Sequence, residues 1–256
     1  MPLTATYGQG LTNPRHLAFQ TDCMYVVEDS TKEVWCFAGQ QPQPYKRIAT
    51  GLAAPNGVAF SQAGELLVAD YNDGVVLRIV DDQARPVICG LKNPYGIAVD
   101  AEGKIIVADA GNEAVKVFSP DEYALLYEFK VGFRPVDVAL QRSGHLVVVG
   151  YGGELVILDP KTGLKLHACA SKHSTTVGLA VDLDDRIYVT QHLNKRLIVF
   201  DPELNVLGPV EGLPDLHLAW GLKAVGGGNK VTLYVAEQGR VSTFPIEFRA
   251  SLKKEV

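Results

Sequence analysis

Short apolar runs separated by polar turns recur along the chain, and the pattern is cleanest from Asn93 to Phe118, NPYGIAVDAEGKIIVADAGNEAVKVF. The runs Ile97 to Val99, Ile105 to Ala108 and Val115 to Phe118 are too short for helices, rich in β-branched residues, and bounded by Gly or Asp. They predict strands, three in succession, joined by tight turns into a small antiparallel sheet.

The same unit returns. PRHLAF with MYVVEDSTKEVWCF begins at Pro14, PNGVAF with ELLVADYNDGVVLRI at Pro55, and RPVDVAL with HLVVVGYGGELVIL at Arg134; TVGLAVD with IYVTQHLNKRLIVF follows at Thr176, and WGLKAV with TLYVAEQGRVSTF at Trp220. Counted from Pro14 through Pro55, Pro94 and Pro135, the steps are about 41, 39 and 41 residues, and Thr176 and Trp220 follow after about 41 and 44, the spacing of blade-type repeats. A weaker fourth segment, seen in YKRIATGL and ARPVICGL, completes each unit. The prediction is an all-β, six-bladed β-propeller of four-stranded antiparallel blades, each sheet burying its faces against its neighbours. One domain over residues 1–256 follows, with repeats starting near 14, 55, 94, 135, 176 and 220. The last unit supplies only three strands, whereas TATYGQGL from Thr4 copies the fourth-strand signature. The N-terminal strand is therefore expected to complete the last blade and close the ring, so that deleting residues 1–10 costs more than loss of a ragged terminus.

These units resemble NHL repeats, whose pattern is a Pro-x-Gly-Ile/Val-Ala start, a Val-x-Asp centre and an Asn-containing loop. Pro94, Gly96, Asp109 and Asn112 match it in the third unit, and Pro55, Gly57, Asp70 and Asn72 in the second. The resemblance covers essentially the full chain. It implies a ring used for RNA contacts, protein contacts or, in related six-bladed propellers, metal-assisted chemistry, so the site has to be argued from its own residues.

In a propeller the loop leading into each innermost strand and the loop joining the second and third strands open on one face, around the central channel. Two departures from the pattern fall there. Where other units place Gly57, Gly96, Gly178 and Gly221, the first has His16 and the fourth has Asp137. In a ring of six these blades are opposite, so the pair faces the channel from both walls, either as an acid/base or metal-binding pair or as side chains that fill the channel and bind water. Glu28, Asp70, Asp109 and Glu237 share one place in their units, which units four and five fill with Gly150 and Gln191. Together with Asn56 they are the candidates for holding a divalent cation, the only cofactor these residue types suggest. The alternative is that these carboxylates cap the loop by accepting backbone N–H bonds, a job the longer Glu28 and Glu237 suit less well. PNGVAFS from Pro55 is similar to the Asn-Gly segment of gluconolactonase-type propellers, a resemblance that implies a cation on Asn56. His16, His173, His192 and His217 also map to the mouth and resemble the histidine-held metal of propeller lyases.

Composition narrows the partners. The chain is 47% apolar and 21% charged with a formal net charge of −5, and the acidic residues at the mouth offset Arg15, Lys32, Lys92, Arg134, Lys172 and Lys195, which disfavours RNA. No apolar run is long enough to cross a membrane, and MPLTATYGQG lacks a basic stretch followed by an apolar core. Cys89 and Cys169 fall in outer strands of blades that should not touch, and Cys23 and Cys36 flank one hairpin and pair only if side and distance permit. A closed ring of this size needs no staples, so a reduced, cytoplasmic setting and a monomer are expected. The expected function is non-enzymatic recognition of a peptide, protein or small ligand through Arg15, Asn56, Tyr71, Tyr95, Arg134, Tyr151, His192 and Trp220. The alternative is a metal-assisted hydrolase or lyase centred on His16, Asn56, Asp137 and Glu237.

Overall fold

The computed structural model describes residues 5–8, 10–39, 41, 43–44, 46–48, 51–170, 175–191, 195–210, 213 and 216–248. Their strands form six four-stranded antiparallel sheets arranged in a ring. Blade three is representative: Pro94–Val99 is innermost, followed outward by Ile105–Asp109, Ala114–Phe118 and Leu125–Lys130. The hydrophobic runs read from the sequence fall on these strands.

The other inner strands are Pro14–Gln20, Pro55–Phe60, Pro135–Leu140, Thr176–Val181 and Gly221–Gly227. Each touches the next around the ring, and Gly221–Gly227 touches Pro14–Gln20. Four of the six open on proline. At the first residue of an edge strand a missing N–H costs no ladder bond, which is why proline is tolerated there. In the sixth sheet Ala5–Tyr7 pairs outside Arg240–Glu247, with Thr6 opposite Ser242.

The core lies between blades. The second strands Leu66–Asp70, Ile105–Asp109 and Leu146–Gly150 are buried along their whole length, because both faces of each sheet are covered. Val27 and Val34 of blade one pack with Val58, Val68 and Leu77 of blade two, and Leu67 and Val76 of blade two with Ile97 and Val107 of blade three. Near the axis the inner strands approach so closely that Gly57 faces the Tyr95 carbonyl and Gly221 the Arg15 carbonyl, with no room for a Cβ. Glycine there is a packing requirement.

Five inner strands shift register against their second strands just after they start, between Pro14 and Leu17, Pro55 and Val58, Pro94 and Ile97, Pro135 and Asp137, and Thr176 and Leu179. Such bulges bend a strand and re-aim the side chains beside it. Here they carry Arg15, His16, Asn56 and Tyr95 at the lip of the channel. Among the described residues no helix is long and apolar enough to cross a membrane. All four cysteines are free thiols. Cys23 sits opposite Ala38 and Cys36 opposite Tyr25, so the two are diagonal neighbours, and burial together with Cys23 pushes the Cys36 thiol up to about 11.

Candidate functional site

The loop face is assembled by one repeated backbone bond. The loop between the second and third strands donates an N–H to the carbonyl of the loop leading into the inner strand: Asp29 to Asn13 at 3.1 Å, Tyr71 to Ala54 at 2.9 Å, Gly111 to Lys92 at 2.7 Å, Tyr151 to Arg134 at 3.0 Å and Gln238 to His217 at 2.8 Å. Both sets of loops therefore share one mouth in these five blades.

The four matched carboxylates hold this frame together from beneath. Glu28 accepts the Thr12, Asn13 and Ser30 N–H groups at 3.0, 2.9 and 3.0 Å, and Asp70 those of Ala53 and Ala54 at 2.7 and 2.9 Å. Asp109 accepts from the Lys92 N–H at 2.6 Å, the Asn112 amide at 2.8 Å and the Lys116 ammonium at 2.8 Å. Glu237 accepts from the His217 N–H at 2.8 Å, Arg240 Nε at 2.9 Å and the Ser242 hydroxyl. All four are fully buried. The expectation that glutamate suits this job poorly is corrected: the extra methylene lets Glu28 span three N–H donors. These oxygens are committed to loop donors, Asn56 Nδ2 makes a long 3.5 Å bond to the Ala54 carbonyl, and no group of three or more His, Cys, Asp or Glu able to share an ion occurs among the described residues. The donor set does not suit a divalent cation.

Below the mouth the opposed pair meets. His16 Nε2 lies 3.4 Å from Asp137 Oδ2, with side chains 8% and 2% exposed, so the contact spans the channel. Asp137 also accepts the Val138 N–H at 2.9 Å and, from the neighbouring blade, the Leu179 N–H at 3.1 Å. His16 Nδ1 is buried without a partner among the described residues.

Above it, a small depression with an enclosed volume of about 20 Å³ is lined by Arg15, His16, Asn56, Tyr95, Val136, Val177 and Trp220. The Arg15 guanidinium lies 4.1 Å over the Trp220 ring and bonds Asp29 at 2.9 Å, while Lys32 holds the other Asp29 oxygen at 2.5 Å. Burial alone would raise the Asp29 carboxyl, but the Lys32 and Arg15 bonds outweigh it and hold it below the ordinary carboxylate value. Tyr71 meets Tyr95 edge to face at 5.2 Å, and Arg134 stands 5.8 Å over Tyr151 at the outer rim. Burial pushes the Tyr95 phenol up, with Arg15 opposing. Thus Arg15, Asn56, Tyr95 and Trp220 converge on His16, Tyr71 buttresses Tyr95, and Arg134 and Tyr151 form a pair close enough to act on Tyr95. His173 and His192 lie outside the described residues.

In the sequence Asp29 reads only as one of the acidic residues of the mouth, and its role in positioning Arg15 emerges from the structure. One residue had escaped the sequence reading. Lys223 stands where five other units carry alanine, and the aligned units WGLKAV and PYGIAV already display that exchange.

The NHL repeat family model matches residues 91–118. No curated protein matches the chain in sequence. Among solved structures the fold is similar to a gluconolactonase from Xanthomonas campestris (15% identity, TM-score 0.79, covering 94% of this chain and 88% of that one). It is also similar to virginiamycin B lyase from Staphylococcus aureus (12%, 0.70, 94% and 98%). A third is hydrazine synthase from Kuenenia stuttgartiensis (12%, 0.69, 96% and 98%). At these identities the likeness is one of fold.

Proposed function

We propose that this NHL-repeat, six-bladed β-propeller is a recognition ring that binds an acidic peptide or small acidic ligand at its loop face. The observation that carries this reading is the fixed Arg15 guanidinium, laid on Trp220 at 4.1 Å and tethered to Asp29 at 2.9 Å. A planar cation already held in place loses little freedom when it binds an acceptor, and buried arginine and tryptophan anchors dominate recognition energies. Tyr95 and Asn56 border the same pocket, and Arg134 over Tyr151 extends the basic and aromatic surface outward. Displayed peptide libraries and acidic fragments, screened against the wild type and against Arg15→Ala and Trp220→Ala, test it. Binders that lose at least tenfold in affinity with either variant support the reading; a lack of binders, or binders indifferent to both changes, overturns it.

A second reading is favoured by the His16–Asp137 contact itself. A carboxylate 3.4 Å from Nε2 favours the tautomer protonated on that nitrogen, which leaves a lone pair on Nδ1, the base-and-orienter arrangement of general base catalysis. In this reading the chain is a hydrolase or lyase working from the same pocket, without the divalent ion its donors do not suit. Hydrolysis of an aldonolactone above background, abolished by His16→Ala, would establish it, whereas a wild type no faster than buffer retires it.

A further inference from the structure

At the end of the channel away from the loops, the inner strands diverge into a vestibule of about 400 Å³. One position recurs in its wall: Ala18, Ala59, Ala98, Ala139 and Ala180 in five blades, and Lys223 in the sixth. Around them stand Phe19, Phe60, Val99, Leu140 and Val181, and Lys223 is the one ionisable side chain among the described lining residues. Its ammonium makes no hydrogen bond or ion pair with any described residue. The acid whose field it feels, Asp137, is already engaged by His16 and by the Val138 and Leu179 N–H groups. Burial pushes Lys223 below the ordinary lysine value, with Asp137 opposing.

Lys223 is half-buried, so its ammonium keeps only part of its hydration beside apolar walls and has no carboxylate of its own, and this chain places it where its own repeat uses the smallest apolar residue. The surroundings define what would complete it. A neutral guest leaves the ammonium unpaired, and a dianion brings a second charge that the side chains of the wall do not match. The inner strands are sheet edges, so their free backbone N–H groups face the axis, as the Leu179 N–H bonded to Asp137 illustrates. They supply further donors for one small anionic group.

We propose that the vestibule is a binding site for a small monocarboxylate with an apolar body, its carboxylate on Lys223 and its hydrocarbon against the alanine ring and the Phe19 and Phe60 side chains. The site is independent of the loop-face reading, from which the His16–Asp137 contact separates it.

The test is calorimetric titration of the full chain with octanoate, butyrate and 1-octanol. Octanoate is expected to bind, butyrate at least tenfold more weakly, and octanol not to compete. Lys223→Met is expected to weaken octanoate at least tenfold and Lys223→Arg to retain it, with circular dichroism confirming that each variant folds; Lys223→Ala, which restores the residue of the other five blades, is the second neutral variant. Bound octanoate should also slow reductive methylation of Lys223 relative to exposed Lys161. Arg15→Ala should leave octanoate affinity unchanged, so loss of the loop-face site and loss of this one are separable. No octanoate binding, or equal binding by Lys223→Met, overturns the proposal, as does a requirement for Arg15.

Discussion

His16 and Asp137 come from the first and fourth inner strands, yet their side chains meet at 3.4 Å and block the axis of the ring. The two positions are therefore coupled, and a double-mutant cycle of His16→Ala and Asp137→Ala should give an interaction energy of about 1 kcal/mol. Asp137→Ala should be the costlier single change, by about 1–3 kcal/mol, because it also strands the Leu179 N–H. Urea unfolding measures all three; strict additivity would show that the contact is incidental.

The buried carboxylates under the loops act as staples. Asp70→Ala removes the acceptor of the Ala53 and Ala54 N–H groups and should cost about 2 kcal/mol. Dialysis against a chelator should leave the melting temperature where it was. A fall of several degrees would mean that these oxygens serve an ion after all.

Acid should loosen the loop face through Asp29. Its carboxyl is depressed in the fold by Lys32 and Arg15 against the opposing effect of burial, so its stabilisation is fully present above the unfolded value of about 3.8 and is lost as pH falls through the lower folded one. The stability difference between wild type and Asp29→Asn should therefore be constant near neutrality and shrink toward zero in strong acid. A difference independent of pH down to about 2 contradicts this account.

Lys223 behaves in the opposite sense. A base whose folded value is lowered binds fewer protons folded than unfolded, so wild-type stability should rise with pH from that lowered value up to the ordinary 10.5. The groups that act on it are Asp137, which opposes the shift, and through it His16. Lys223→Ala should be the more stable protein at neutral pH and should lack the rise. A destabilised Lys223→Ala variant would mean that the amine has a stabilising partner.

Tyr7 is 4% exposed and packs edge to face on Phe37 at 6.3 Å, so the strand Ala5–Tyr7 is anchored by more than its three residue pairs with Arg240–Glu247. Tyr7→Ala should cost about 3 kcal/mol, readable as a shifted denaturant midpoint. A change within error would show that the strand is dispensable.

The ring was legible because its period is written in residues with fixed structural duties: proline at the first position of an edge strand, glycine where inner strands nearly touch, aspartate beneath a loop. His16 and Asp137 stood out against that background, and their separation follows from six-fold geometry. What the sequence left open was the direction each carboxylate points. Asp70 and Glu28 carry the same charge whether their oxygens face the mouth or the backbone beneath it, and only the N–H groups of Ala53, Ala54, Thr12 and Asn13 decide. Lys223 was visible as an exchange for alanine, but its meaning depended on the cavity it enters.

The sixth sheet unites Ala5–Tyr7 with Arg240–Glu247. During synthesis the partner of the earlier segment leaves the ribosome only after five whole blades have been made, so the nascent chain carries an unmatched strand and an open seam until then. Sealing that seam joins residues far apart along the polypeptide, the kind of late, long-range event that slows folding. A rearranged gene that begins at Pro14 and carries residues 1–13 after the last blade would turn this step into a local hairpin, and the rearranged protein should reach its native state sooner.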